Sequence, residues 1–372
     1  MSGPLSGLRV IEFAGIGPLP FAAMMLADLG ADVLCIERKS GGDWPPLPIV
    51  SRGRPSLKLD LKDPEAIRTC REVIAVADVL IEGYRPGVME RLGLGPHEAM
   101  GLNPRLVYGR ITGWGQTGPL AQVAGHDINY LALSGALAPL AAMDAAPSPP
   151  LNMLGDYAGG SLFLLVGILA ALEDRRRSGI GQVIDAAIVD GAAILMGPLL
   201  GMAEAGLLSL DPQGNMLGGR YAPFYRTYRC ADGKYVAVGA LEPRFRDALF
   251  LAIGFDASEF GDLDDPGAWP KASLRLEEIF ASKSRDEWAA AYQGEDMCLT
   301  PVLSPQEAAS HPHLVARGSY RVSAGRIAPA SAPRFSGVEQ SESSLKEESA
   351  QDRLHRWGVG NAPHDDFEIS QA

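Results

Sequence analysis

The first third of the chain alternates short β-branched runs with helix-patterned segments, and that alternation limits its fold more than any other feature. Leu8-Arg9-Val10-Ile11-Glu12-Phe13 reads as a buried strand, residues 20–29 as a helix stopped by Gly30, and residues 31–36 as a second strand. Asp63-Pro64-Glu65 joins an N-cap residue, a proline at the first helical position and an acidic first turn. The helix it opens carries Ile67, Cys70, Val73, Ile74 and Ala77 on one face. Val79-Leu80-Ile81 and Leu106-Val107-Tyr108 add two strands. Strands joined by helices in this way imply an α/β fold, doubly wound and Rossmann-like, around a parallel sheet.

A chain of 372 residues exceeds one ordinary domain. Helical segments are expected at 157–173 and 187–205, with a strand at Val183-Ile184-Asp185 between them. The large α/β domain is therefore placed at 1–205 and a glycine-rich linker or lid at 206–224. Two strands around the Asp232-Gly233 turn then open a smaller α+β domain, 225–310. Glu242-Pro243 marks a helix start inside it, and Ser284 to Glu287 and Ser304 to Glu307 have the spacing of capping boxes. His311-Pro312-His313 reads as an exposed turn, a final helix is expected around 345–357, and the last dozen residues read as a mobile tail.

The net charge of −12 disfavours nucleic acid as a partner. Residues 1–91, however, hold 11 Lys/Arg against 12 Asp/Glu, so anion binding is expected near the N-terminus. Cys35, Cys70, Cys230 and Cys298 have no metal-ligand or disulfide spacing, which suits a reducing, cytoplasmic compartment. The longest apolar run, residues 162–172, is too short to span a bilayer and suits a buried helix. The histidines show no metal-ligand spacing, and no metal site is expected. The loop Gly15-Ile16-Gly17-Pro18-Leu19-Pro20 lacks the third glycine of a dinucleotide fingerprint and reads as strand-to-helix packing.

The chemistry concentrates in two echoing stretches, Gly125-His126-Asp127-Ile128-Asn129-Tyr130 and Gly155-Asp156-Tyr157. Each sets an ionisable side chain behind a glycine and ahead of an apolar helical run, in the partial positive field of a helix start. A histidine and a carboxylate so held can give and take protons on opposite faces of a small substrate. As a plain structural alternative, both side chains cap helices.

Several ordered motifs resemble those of the family III CoA-transferases. They are Leu8 to Glu12 with Leu26-Ala27-Asp28-Leu29-Gly30-Ala31-Asp32-Val33, Tyr84-Arg85-Pro86-Gly87, and Thr112-Gly113-Trp114-Gly115-Gln116-Thr117-Gly118-Pro119. The stretch at His126, Pro150-Leu151-Asn152 with Gly155-Asp156, and Val236 to Pro243 are most similar to the α-methylacyl-CoA racemase branch. The resemblance spans nearly the whole chain and is weakest in the tail. It implies inversion at the α-carbon of a 2-methylacyl-CoA without metal or organic cofactor, CoA being part of the substrate. It further implies His126 and Asp156 as the base pair, Glu242 as the carboxylate partnering Asp156, and Arg38, Arg85 and Arg91 as CoA-binding residues. An interlocked homodimer is implied, each site taking Glu242 from the other chain, with 311–372 returning to complete the large domain.

Removing a proton beside a thioester carbonyl requires a base and stabilisation of the enolate oxygen, for which the N–H of Asp127 is the candidate. A helix start favours charged Asp156, whereas a second carboxylate, Glu242, lets the pair share a proton. The competing reading is a CoA-transferase in which Asp156 is the nucleophile, and a third is a non-catalytic acyl-CoA carrier. Gly218-Gly219-Arg220-Tyr221-Ala222-Pro223 departs from the racemases' Asp-Gly-Gly-Ala-Pro pattern in the expected lid, which leaves the acyl group open.

Overall fold

A computed structural model describes residues 3–40, 47–141, 146–211, 214–218, 221–337 and 348–360. The chain divides into two compact units. The first comprises residues 1–134, 150–194 and 331–372, and the second residues 135–149 and 195–330.

The first unit is built on six strands: β1 (Arg9–Phe13), β2 (Asp32–Arg38), β3 (Ser56–Leu59), β4 (Val79–Glu82), β5 (Val107–Thr112) and β6 (Val183–Ala187). They run parallel in the order β3-β2-β1-β4-β5-β6. β3 was not expected from the sequence, where only four residues alternate; Leu57 and Leu59 face inward on either side of exposed Lys58.

Residues alternate between two cores, as the strand period of two requires. Ile11, Phe13, Leu34, Ile36, Leu80 and Tyr108 pack with the helices Pro64–Val76 and Ala350–Arg356. Val10, Val33, Val79, Ile81, Val107 and Ile111 pack with the helices Pro18–Asp28 and Phe163–Ser178. The expected helix at 157–173 is longer at both ends, because Met153–Leu162 is wound as a π-helix that leads into Phe163–Ser178. By length and composition this 26-residue stretch is apolar enough to cross a membrane. Leu164, Leu165, Ile168 and Ala171 nevertheless bury against the sheet, the packing of a core helix. The helix expected at 187–205 is two, Ile188–Leu195 and Gly197–Glu204, divided at Met196 and falling in different units.

Glu82 and Arg110 are adjacent partners on β4 and β5 and are both buried. The Arg110 guanidinium donates to Glu82 (2.8 Å) and Glu90 (2.7 Å), while Glu82 also accepts the Tyr84 N–H (2.7 Å). This pair fixes the start of the loop after β4.

The C-terminal helix Ala350–Arg356 closes over β2. Arg353 and Arg356 both pair with Asp32, Trp357 donates to Asp32 (2.9 Å), and Glu348 accepts from both arginines. The return to the first unit begins at Ser331, not at 311, because residues 312–330 form a short helix, Pro312–Ala316, and the hairpin β10 (Tyr320–Ser323) and β11 (Arg326–Pro329) within the second unit. His311 thus occupies the N-cap position of a short helix, without a side-chain capping bond, rather than sitting in a plain turn. The expected mobile tail, 361–372, lies outside the described residues.

The second unit holds an antiparallel sheet, β7 (Tyr225–Arg229), β8 (Tyr235–Gly239) and β9 (Leu299–Pro301), over a core that includes Tyr228, Trp269, Leu276, Phe280 and Trp288. The third strand comes from sixty residues downstream and was not expected. Both capping boxes form, at Ser284 and at Ser304. The end of the expected linker is core instead, since Tyr221, Ala222 and Phe224 are buried with this sheet.

Two outcomes follow. Arg110→Ala leaves buried Glu82 without its cationic partner, and should cost about 3–5 kcal/mol in urea unfolding. The arginines hold the Glu348 carboxyl below its ordinary range, Arg356 acting most. A carboxyl lowered on folding stabilises above its unfolded value and loses that contribution as pH falls through the folded one. Amide protection of residues 350–357 should therefore fail as pH drops below about 4.3, and at a higher pH in Arg356→Gln, read by hydrogen exchange.

Candidate active site

Strand order reverses between β1 and β4, so the loops leaving their carboxyl ends diverge and open a crevice. The loop after β1 reaches Gly17, whose backbone takes φ +66°, a region open to glycine and strained for other residues. A β-carbon there would sit 3.2 Å from Oδ2 of Asp156. The glycine loop thus makes room for the candidate catalytic carboxylate, a role its sequence alone does not reveal.

Asp156 lies in the first turn of the π-helix, a rare winding that recurs at functional sites. Asn152 Nδ2 donates to its Oδ2 (3.2 Å), and the Ser161 hydroxyl, fully buried, lies between the carbonyls of Pro18 (2.7 Å) and Asp156 (3.1 Å). Leu151, with φ +56°, marks a strained approach to this turn. Burial raises the Asp156 carboxyl above its ordinary range and the Asp127 charge adds to that, while the Asn152 bond and His126 oppose it.

His126 directly precedes the helix Asp127–Ser134 and is exposed, its N–H held by Asn129 Oδ1 (3.0 Å). Among the described residues the N–H of Asp127 donates to no acceptor, which leaves it open to an oxyanion. The Asp127 side chain turns inward, buried, and accepts the N–H of Asp156 at 2.7 Å. Tyr130 packs edge-on against Trp114 (centroids 4.8 Å, 86°) and donates to the Gly125 carbonyl. Burial, then Asp156 and Asp127, push its phenol up to about 12, with Arg85 pulling the other way.

The three arginines are exposed and fall on two features. Arg38, at the end of β2, stands over the Tyr84 ring (5.7 Å). Arg85 follows in the loop after β4. Arg91 closes the short helix Val88–Arg91 and lines a groove of about 400 Å³ with Lys62, Arg68 and Arg71. Sequence reasoning missed those three cations, which belong to a helix face and a preceding turn that only the fold brings to Arg91. It also missed Asn152, although a side chain four residues before Asp156 was a usable signal.

Glu242 belongs to the second unit. It occupies the N-cap position of the helix Pro243–Ile253, but its exposed side chain makes no capping bond.

Comparison with known proteins places the chain in a family. The sequence pattern of CoA-transferase family III matches residues 5–342. The chain belongs to that family. It is 43% identical to the α-methylacyl-CoA racemases of Mus musculus and Homo sapiens, over 85% and 88% of this chain and 82% and 86% of theirs. The crystal structure of a CAIB/BAIF family protein from Brucella suis superposes with a TM-score of 0.81 at 26% identity, covering 96% of this chain and all of that one.

Gly155 sets a close tolerance in the site, since a β-carbon there would fall 2.3 Å from Asp127 Oδ1. Gly155→Ala should lose about 1–3 kcal/mol in urea unfolding, by overpacking. Gly101→Ala, on a helix with nothing within 4 Å, serves as the near-neutral control.

Proposed function

We propose that this chain is a racemase that inverts the α-carbon of 2-methylacyl-CoA thioesters by two-base proton transfer through an enolate. The observation that carries the reading is Asp156 itself: half-buried beside Gly17, raised above the ordinary carboxylate range, and on a helix start neighbouring that of His126. A carboxyl so raised holds its proton more firmly than a free one, and its conjugate base is the stronger base, both of which suit a group that gives and takes a proton. The 43% identity to two α-methylacyl-CoA racemases supports the same chemistry.

In this mechanism one of His126 and Asp156 removes the α-proton and the other returns a proton to the opposite face. The N–H of Asp127, at a helix start, receives the enolate oxygen. Arg38, Arg85 and Arg91 hold the CoA moiety, with Lys62 and Arg71 adding charge around Arg91. Glu242, unengaged on its own helix, supplies the further carboxylate from the second chain of an interlocked homodimer and shares a proton with Asp156. Side chains and one backbone amide perform every step, so the reaction needs no metal or organic cofactor.

The transferase alternative makes Asp156 a nucleophile that forms a mixed anhydride. A nucleophile must be ionised, whereas burial and the Asp127 charge favour the protonated form.

The test is incubation with one epimer of a 2-methylacyl-CoA in deuterated water, following α-deuterium by NMR and configuration by chiral analysis. Uptake with loss of configuration is expected, and His126→Ala and Asp156→Asn should each lose about 10²–10⁴-fold in rate. No uptake, with CoA passing to an added carboxylate and hydroxylamine trapping Asp156, would overturn the racemase reading.

A further inference from the structure

We propose that the buried side chain of Asp127 is a positioning residue that sets Asp156 as an acid, by taking the backbone amide that would otherwise stabilise its charged form and by placing a like charge beside it. This rests on the two-base reading above. An aspartate in the first turn of a helix ordinarily turns its carboxylate onto free N–H groups, which favours the charged form and makes a poor proton donor. Here the N–H of Asp156 is occupied by Asp127 Oδ1 at 2.7 Å, and the Gly155 amide also donates to Asp127. Gly155 is a glycine where the Asp127 carboxylate comes too close for any side chain. The Asp156 carboxyl is left with Asn152 as its hydrogen-bond donor and turns toward Gly17.

The second oxygen of Asp127 is buried without a partner among the described residues, and burial raises the Asp127 carboxyl itself; when ionised it is little compensated and its field reaches Asp156. The other ionisable groups around the π-helix are few. His126 and Tyr130 come from the neighbouring helix, and Arg85, from the loop after β4, acts on Tyr130. The loop after β1 contributes glycine, and Asp28, ending the helix that follows, is paired with Arg52. On β5, Arg110 is engaged by Glu82 and Glu90, and on β6, Asp185 accepts the Gln116 N–H. Tyr157, on the π-helix itself, packs against Phe21.

Asp127→Asn keeps an oxygen acceptor for the amide and removes the charge, so it separates the electrostatic role from a structural one. The pH profile of racemisation is measured from each epimer, in wild type and variant. The alkaline limb in the direction that uses Asp156 as acid, and the acid limb in the direction that uses it as base, should both move to lower pH. KM should stay within error of wild type. At alkaline pH the acid-side direction should lose several-fold in kcat and recover it as pH falls. Should the Asn variant fail to fold, Asp127→Ser, which also presents an oxygen, must shift the same limbs the same way. Limbs that stay in place, or a loss uniform across pH, would overturn the proposal and leave Asp127 a mere helix cap. A wild-type protein that exchanges no α-proton fails the two-base reading instead, before Asp127 is at issue.

Discussion

A parallel sheet covered on both faces has no solvent-facing side, so its chemistry is confined to the loops at its ends. In the first unit each strand alternates between two helix-lined cores, and the order β3-β2-β1-β4-β5-β6 places one reversal in the middle. The candidate site gathers there. Gly17 leaves β1, Arg85 leaves β4, and the stretch that ends in His126 leaves β5. The π-helix bearing Asp156 is tied to the first of these loops through Ser161 and Pro18. The position of the site is thus a consequence of how the sheet is covered.

Within the site, the main physical tension is between two carboxyl groups drawn to the same helix start. Asp127 holds the amide and Asp156 does not, and the two carboxyls consequently differ in what they can do. One group has an oxygen committed to a backbone donor, and the other is left with a side-chain amide and space.

Much of this was legible in the sequence because it depends on local rules. The βαβ alternation, the Asp63 cap, both capping boxes and the antiparallel pair at 225–239 need only neighbouring residues to specify them. Glycine ahead of an ionisable residue likewise marked both His126 and Asp156 as helix-start positions. What was not legible depends on distant partners. β3 and β9 are too short to announce themselves and exist because a neighbouring strand completes them. The π winding at 153–162 reads as ordinary helix, since its period is close to that of an α-helix and its apolar content is high. The inward turn of Asp127 depends on Gly155 lying opposite it, across a gap in sequence that no spacing rule covers. Tyr221 and Phe224 looked like loop because glycines surround them, yet a sheet formed later in the chain buries both.

The closure of the C-terminal helix over β2 also has a consequence for how the protein is made. Asp32 and the sheet face beside it receive Arg353, Leu354, Arg356 and Trp357 only after the residues between them, the second unit included, have left the ribosome. In the sequence most of the second unit, residues 195–330, falls between these two parts of the first and emerges as one segment. During synthesis the inserted unit can reach its final packing before the unit that began earlier. The nascent first unit must meanwhile leave part of that sheet face covered by the helix Pro64–Val76 alone, so the strongly ionic contact at Asp32 completes the first unit rather than starting it.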